Sequence, residues 1–159
     1  MPMRIGDAMP SFEGATEWLN ELQDTADDYV NGQPTLVYFW ATSCGICKEN
    51  MPRLQELKAK YKERGLRMVA IHMPRYEADT DLEKVKATIA EHCIDDVCAV
   101  DNQHKLKDAF LNEQGWVPVY YLFDAEGKLK SRAAGELGIS VITNALEKMF
   151  ADKSIRANA

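Results

Sequence analysis

Apolar residues cluster in short runs along the chain, and the clearest run is residues 36–41, Leu-Val-Tyr-Phe-Trp-Ala. Branched and aromatic side chains dominate this run and a turn signal over residues 31–34 precedes it, so it predicts a buried strand. Compact apolar runs at 66–73 and 97–100 predict two further strands. A strongly β-prone segment that begins at Val119 predicts a fourth. We expect these strands to form the centre of a sheet.

The more polar segments between the strands have helical spacing. Residues 48–64 are rich in good helix formers, and Leu54, Leu57 and Tyr61 recur on one face. Pro52 is expected to kink this helix. Further helices are predicted over 22–30, from Asp79 or Thr80 to about His92, around 106–110 and over 140–150. An edge strand is predicted over 15–19. A hairpin turn over 124–127 leads into a returning strand over 128–134.

Two cysteines, Cys44 and Cys47, stand where the first predicted strand passes into the following helix. Because three positions span about one helical turn, the two sulfurs can come within disulfide reach. Cys44 would then lie at a helix N-terminus, where unpaired N–H groups and the helix dipole favour a thiolate. This arrangement predicts a thiol–disulfide exchange centre with Cys44 as nucleophile and Cys47 as resolving thiol. A pair of structural thiols or half of a zinc site is the alternative.

Composition narrows the class of protein further. The formal net charge of −6 over 159 residues argues against a nucleic-acid-binding surface, which would be basic. No apolar stretch approaches the roughly eighteen residues of a membrane span, and residues 1–7 lack an apolar signal core. If the sequence is complete, we expect a cytoplasmic protein without nucleic-acid or membrane partners. We also expect one domain over 1–151, with an N-terminal extension over 1–34, and a C-terminal tail over 152–159.

The order strand–helix–strand followed by strand–strand–helix, with Cys-x-x-Cys on the first helix, resembles the thioredoxin-like fold. That fold is α/β, with a central mixed β-sheet flanked by helices. Residues 74–116 add an αβ insert between the two halves, as in the TlpA/ResA-like thiol–disulfide oxidoreductases, and within them the chain most resembles the YkuV-type cytosolic proteins. The residues that carry the likeness are Phe39-Trp40, Ser43-Cys44, Cys47-Lys48-Glu49, Met51-Pro52, Val69 to Arg75 and Val117 to Tyr121.

The resemblance implies a function and a docking site. It implies a disulfide reductase that acts on disulfide-containing proteins and is itself reduced by NADPH through a thioredoxin-reductase-like donor, with no bound cofactor. Pro118 would follow a cis peptide bond beside the redox cysteines. Val117 would turn its backbone toward a client peptide, which pairs as an added strand. Trp40 would pack beside this substrate-binding surface.

Three positions depart from the related families. Gly45-Ile46 replaces the Gly-Pro dipeptide between the cysteines, so thioredoxin's strongly reducing potential is not expected. Tyr38 occupies the place of thioredoxin's buried aspartate, so that route to a deprotonated second cysteine is absent. Arg75 stands where ResA-like proteins have a glutamate, and Glu77 is a candidate partial replacement. His72 is a second candidate proton carrier, although such a histidine is more often simply packed.

Cys93 and Cys98 do not have a standard redox spacing. We expect both to be small buried hydrophobic residues, with a second disulfide as one alternative. Another alternative is a metal site: zinc or copper held by Cys44 and Cys47 together with His72 or the Cys93/Cys98 pair. That site would make the chain a metal-binding or carrier module instead of an enzyme.

Overall fold

The structure is a computed structural model that describes the backbone of residues 1–158 and the side chains of residues 1–151. The predicted C-terminal tail, 152–159, lies outside the residues whose side chains are described. The strands are β1 (Glu17–Leu19), β2 (Thr35–Trp40), β3 (Arg67–His72), β4 (Val97–Val100), β5 (Val119–Phe123) and β6 (Leu129–Ala134). The helices are α1 (Ala26–Val30), α2 (Gly45–Tyr61), α3 (Leu82–Glu91), α4 (Lys105–Ala109) and α5 (Gly138–Asn158).

The strands form one mixed sheet in the order β1-β4-β3-β2-β5-β6. Strands β2, β3 and β4 run parallel, because α2 and α3 supply the long connections that parallel neighbours need. Strand β5 is antiparallel to β2, and β6 returns antiparallel to β5. This is the predicted thioredoxin-like α/β fold, with α3 and β4 as part of the predicted insert.

Both faces of the sheet are covered, which explains why β2 is apolar without alternation. On one face, Tyr38 and Trp40 pack in a cluster with α2, α3 and α5. On the other face, Val37 and Phe39 pack with α1, α4 and Phe12 of the N-terminal segment. Every residue of β2 is buried. The strand therefore fixes the position of the Cys44 loop that follows it.

Two predicted helix starts were wrong. The predicted helix at 22–30 begins only at Ala26, because the Thr25 side chain caps it by accepting the Asp28 backbone N–H. Helix α3 begins at Leu82 with Asp81 as its cap. Asp79, which the sequence analysis offered as that cap, lies in a short 3-10 turn before it and faces the cysteine loop instead. None of the described helices combines the length and apolar character needed to cross a membrane.

Candidate active site

Cys44 and Cys47 lie at the junction of β2 and α2. Cys44 is the N-cap of α2 with extended backbone angles, and its Sγ accepts the backbone N–H of Cys47 at 3.1 Å. The two residues form a disulfide, with their Cα atoms 5.3 Å apart. A sulfur that already accepts a helix N-terminal N–H is placed to be stabilised as a thiolate after reduction.

Val117 and Pro118 immediately precede β5, and the register between Val119 and Phe39 brings them to the end of β2 that leads to Cys44. The Val117–Pro118 peptide bond is cis, the isomer implied by the resemblance. Val117 packs against the core cluster that contains both cysteines of the disulfide. Within the described residues, no hydrogen bond uses the backbone N–H or C=O of Val117.

Trp40 is fully buried and lies in the core cluster against which Val117 packs. Its ring meets the His72 ring edge to face, with centroids 4.8 Å apart. The large aromatic side chain that is exposed next to Val117 is Trp116, at 48% of its surface. Sequence reasoning missed Trp116, because a lone tryptophan before a strand gives no signal of exposure.

His72 ends β3 and is fully buried. Its Nε2 accepts the Thr42 backbone N–H at 3.1 Å, so it holds the loop that leads to Cys44. Burial lowers the pKa of His72 to about 4 and outweighs the opposing attraction of Asp79. The ring is therefore neutral near pH 7. Its role as a proton carrier stays a prediction.

Asp79 is the site residue that sequence reasoning misassigned. Its carboxylate accepts four hydrogen bonds: from Thr42 Oγ1 at 3.0 Å, Ser43 Oγ at 2.8 Å, and the backbone N–H groups of Arg75 at 2.9 Å and Tyr76 at 3.3 Å. Burial by itself raises the pKa of Asp79, but these hydrogen bonds outweigh it and hold the pKa below its usual range. Asp79 thus ties the loop after β3 to the loop that carries Cys44.

Arg75, where the resemblance led us to expect a glutamate, takes part in the same network. Its Nη2 donates to Ser43 O at 2.9 Å and to Ser43 Oγ at 3.1 Å. The structure does not bring the Glu77 carboxylate into this network: within the described residues no side-chain hydrogen bond to it is found, and the residue is exposed. The carboxylate in the network is that of Asp79, two residues further along the chain.

Tyr38, where the resemblance would place an aspartate, contacts a buried carboxylate that lies outside its own strand. The Tyr38 hydroxyl donates to Asp96 Oδ2 at 2.7 Å, just before β4, and Lys58 Nζ lies 2.7 Å from Asp96 Oδ1. Burial raises the pKa of Asp96 despite these two partners. Sequence reasoning missed this buried carboxylate because its partners come from separate elements.

The remaining cysteines are both free. Cys98 is buried as predicted, and burial raises its pKa to about 12. The prediction for Cys93 was wrong: the residue is exposed, because it follows α3 in a left-handed conformation with φ of 54°. Neither cysteine forms the alternative second disulfide. Among the described residues, no three His, Cys, Asp or Glu side chains are grouped to hold a metal ion.

Comparison with known proteins identifies what this site is similar to. A family model for Redoxin matches residues 4–146. The thiol-disulfide oxidoreductase YkuV of Bacillus subtilis (strain 168) is 41% identical over 94% of this chain and 99% of its own length. The thiol-disulfide oxidoreductase ResA of Oceanobacillus iheyensis is 29% identical over 84% of this chain and 67% of its own length.

Solved structures agree with the fold. The solution structure of a thioredoxin-like protein in its oxidised form superposes with a TM-score of 0.83, at 41% identity over 94% of this chain and 99% of that one. A crystal structure of a candidate thiol:disulfide interchange protein DsbE from Chlorobium tepidum gives a TM-score of 0.76 at 21% identity, over 92% of this chain and 98% of that one. The second likeness concerns the fold alone.

Proposed function

The chain belongs to the Redoxin family and is a thiol–disulfide oxidoreductase, and from that premise we propose that it reduces protein disulfides through Cys44 and Cys47. The observation that carries this proposal is the position of Cys44, whose Sγ caps α2 and accepts the Cys47 N–H at 3.1 Å. The positive end of the helix dipole stabilises a thiolate at this position, while Cys47 lies one turn into the helix.

The reaction proceeds in two exchanges. The Cys44 thiolate attacks one sulfur of the client disulfide, the client S–S bond breaks, and the departing sulfur takes up a proton while a mixed disulfide forms. Cys47, as a thiolate, then attacks Cys44 Sγ and releases the second client thiol. The client gains two electrons, and the protein is left with the Cys44–Cys47 disulfide, the state of the present structure.

The client docks beside Val117 and Pro118. Support comes from the backbone of Val117, whose N–H and C=O lack a hydrogen bond within the described part of the chain. A client segment can pair with these groups as an added strand. Trp40 belongs to the core cluster against which Val117 packs, so it supports this surface from the interior.

Location, donor and domain limits complete the proposal. We propose that the protein works in the cytoplasm and is reduced by NADPH through a thioredoxin-reductase-like donor, as the resemblance noted from the sequence implies. The proposal treats residues 1–151 as one domain, and the burial of Met3 and Phe12 of the extension over 1–34 in the core supports it. Cell fractionation tests the location, and turnover with purified thioredoxin reductase and NADPH tests the donor.

Three serine variants test the roles of the cysteines. Cys44→Ser should lose insulin reduction, because the attacking sulfur is gone. Cys47→Ser should accumulate mixed disulfides with client proteins on Cys44, because the resolving thiol is gone. The matched control is Cys93→Ser, which should retain activity because Cys93 is an exposed free thiol in the turn after α3. Full activity of Cys44→Ser would refute the mechanism.

The direction of electron flow has a separate test. Equilibration of the Cys44–Cys47 pair against a dithiothreitol or glutathione series gives its midpoint potential. A reductase requires a potential below that of its clients' disulfides. A potential as oxidising as that of dedicated disulfide-forming proteins, roughly −120 mV, would reverse the proposed direction.

A further inference from the structure

The guanidinium of Arg75 is fixed against the residue next to the attacking cysteine. Nη2 donates to Ser43 O at 2.9 Å and Ser43 Oγ at 3.1 Å, and Nε donates to the same Oγ at 3.3 Å. Asp79 holds both Ser43 and the backbone of Arg75 in place, because its Oδ2 accepts the Ser43 hydroxyl and the Arg75 backbone N–H. A flexible side chain is thus held in one place at the rim of the site.

Among the described residues, no carboxylate forms an ion pair with Arg75. The four hydrogen bonds that Asp79 accepts come from other donors, so its carboxylate does not contact the guanidinium. Nη1 makes no hydrogen bond within the described chain, and Arg75 is exposed. Within the described chain, the Arg75 guanidinium therefore keeps a free donor at Nη1 and lies against the residue next to the reacting cysteine.

A neighbouring aromatic ring adds to this rim. The Tyr76 ring lies under the guanidinium, with Arg75 Cζ 5.4 Å from its centroid, and 63% of the Tyr76 surface is exposed. The ring gives the cation a contact without neutralising its charge. The donors of Nη1 remain available to a bound molecule.

We propose that Arg75 selects clients that carry an Asp or Glu carboxylate close to the cysteine that Cys44 attacks. The inference rests on the proposed function, because it concerns the client of that same site. A guanidinium binds carboxylates through charge-assisted hydrogen bonds. Since Ser43 already holds the side chain, less conformational entropy is lost when the client binds. Ser43 and Cys44 are adjacent, so a carboxylate one or two residues from the client cysteine can reach Nη1.

The effect is expected to be modest and local. Contacts between exposed charges are weak, so we expect a preference of about three- to tenfold in the rate constant for reduction. Glu49 and Glu77 are exposed near the site in sequence and would repel an acidic client. Lys48, beside Cys47, is a second cation near the site, so the Arg75 variants, and not the preference alone, assign the effect to Arg75. The preference should shrink as salt is added, because exposed charges are screened.

Three synthetic disulfide peptides test the proposal, identical except for Glu, Gln or Lys beside the cysteine. The prereduced protein is mixed with each peptide, and acid-quenched samples give second-order rate constants. The quantity of interest is each rate relative to the Gln peptide, since this ratio cancels any general loss of activity in a variant. The wild-type protein should favour Glu over Gln about three- to tenfold and disfavour Lys.

Substitutions assign the preference to Arg75. Arg75→Gln should make the three rate constants nearly equal. Arg75→Glu should reverse their order, so that the Lys peptide reacts fastest. The charge-matched control is Lys84→Gln on the exposed side of α3, which should keep the wild-type ratios.

The outcomes separate this inference from the proposed function. Equal rates for the three peptides with wild-type protein would overturn the selection by Arg75 while leaving the reductase intact. Unchanged ratios in Arg75→Glu would do the same. No reduction of the neutral Gln peptide by wild-type protein would overturn the proposed function itself, and this inference with it.

Discussion

Two regions of the molecule each combine a cysteine with a buried carboxylate, and their chemistry differs. In the active-site corner, defined by Cys44, His72 and Asp79, the sulfur caps a helix and the pKa of the carboxyl is lowered. In the β4 region, defined by Asp96 and Cys98, burial raises the pKa of the thiol to about 12 and also raises that of the carboxyl.

The number of donors around each group explains the difference. Asp79 accepts hydrogen bonds from two hydroxyls and two backbone N–H groups, which together exceed the cost of burial. Among the described residues, the Asp96 carboxylate has only the Tyr38 hydroxyl and the Lys58 ammonium as partners, and these two do not offset the cost of burial. Loops and helix N-termini expose unpaired backbone donors, whereas strands use theirs in the sheet. The same residue types are therefore reactive in one region and structural in the other.

Thiol reactivity should show the largest contrast between the regions. With a pKa of about 12, roughly one Cys98 in 100,000 is a thiolate at pH 7, whereas an ordinary thiol near pKa 8.5 is about 3% ionised. After reduction, iodoacetamide should therefore alkylate Cys44 at least about a thousandfold faster than Cys98. Peptide mass spectrometry of the native protein measures both, with exposed Cys93 as an internal reference. Comparable alkylation rates for Cys44 and Cys98 would contradict the predicted difference in thiol reactivity between the two regions.

The free energy of unfolding should depend on pH through the titration of His72. Its folded pKa of about 4 lies below the ordinary 6.5, so the unfolded chain binds this proton first as pH falls. Stability is complete above pH 6.5 and decreases as pH falls toward 4, by about 3 kcal/mol from this group. Urea unfolding at several pH values measures it. His72→Gln, which can still accept the Thr42 N–H, should show a shallower decrease, and an identical profile would contradict the assignment.

Asp79→Asn should destabilise the active-site corner by about 2 kcal/mol. The Asn side chain has one acceptor oxygen where the carboxylate has two, so at least one buried donor loses its acceptor. Insulin reduction should fall as well, because the loop that carries Cys44 is held less firmly. Glu77→Gln is the matched control on the same turn and should change stability by no more than about 0.5 kcal/mol. Equal effects of the two variants would show that Asp79 is not the anchor.

Asp96→Asn should lower the free energy of unfolding by about 1 kcal/mol or less, which is the smallest of these effects. Burial already disfavours the charged form of Asp96, so a neutral amide loses little. Lys58 keeps Asp95 as a partner at 2.5 Å, and the Tyr38 hydroxyl can donate to the new amide oxygen. Equilibrium unfolding at pH 7 compares this variant with Asp79→Asn. A larger loss for Asp96→Asn would invert the proposed difference between the regions.

The sequence predicted those parts of the fold and the site that depend on local pattern. Apolar runs such as 36–41 identified core strands because burial on both faces leaves no polar position in them. The spacing of Cys44 and Cys47 identified the redox pair because one helical turn fixes how far apart they lie. Asp79 was assigned to a helix cap because acidic residues before a helix are good caps, and Asp81 satisfied that pattern equally well.

The sequence by itself determined the order of strands and helices, the family, and the chemistry of the Cys-x-x-Cys pair, since each follows from residues close together in the chain. Only the tertiary structure decided which carboxylate serves the active site, which cysteine is buried, and what Arg75 contacts. These outcomes depend on residues 30 or more positions apart, such as Ser43 and Arg75. The physical reason is that pKa, exposure and hydrogen-bond partners depend on every element packed around a group, whereas a local pattern reports only the element that contains it.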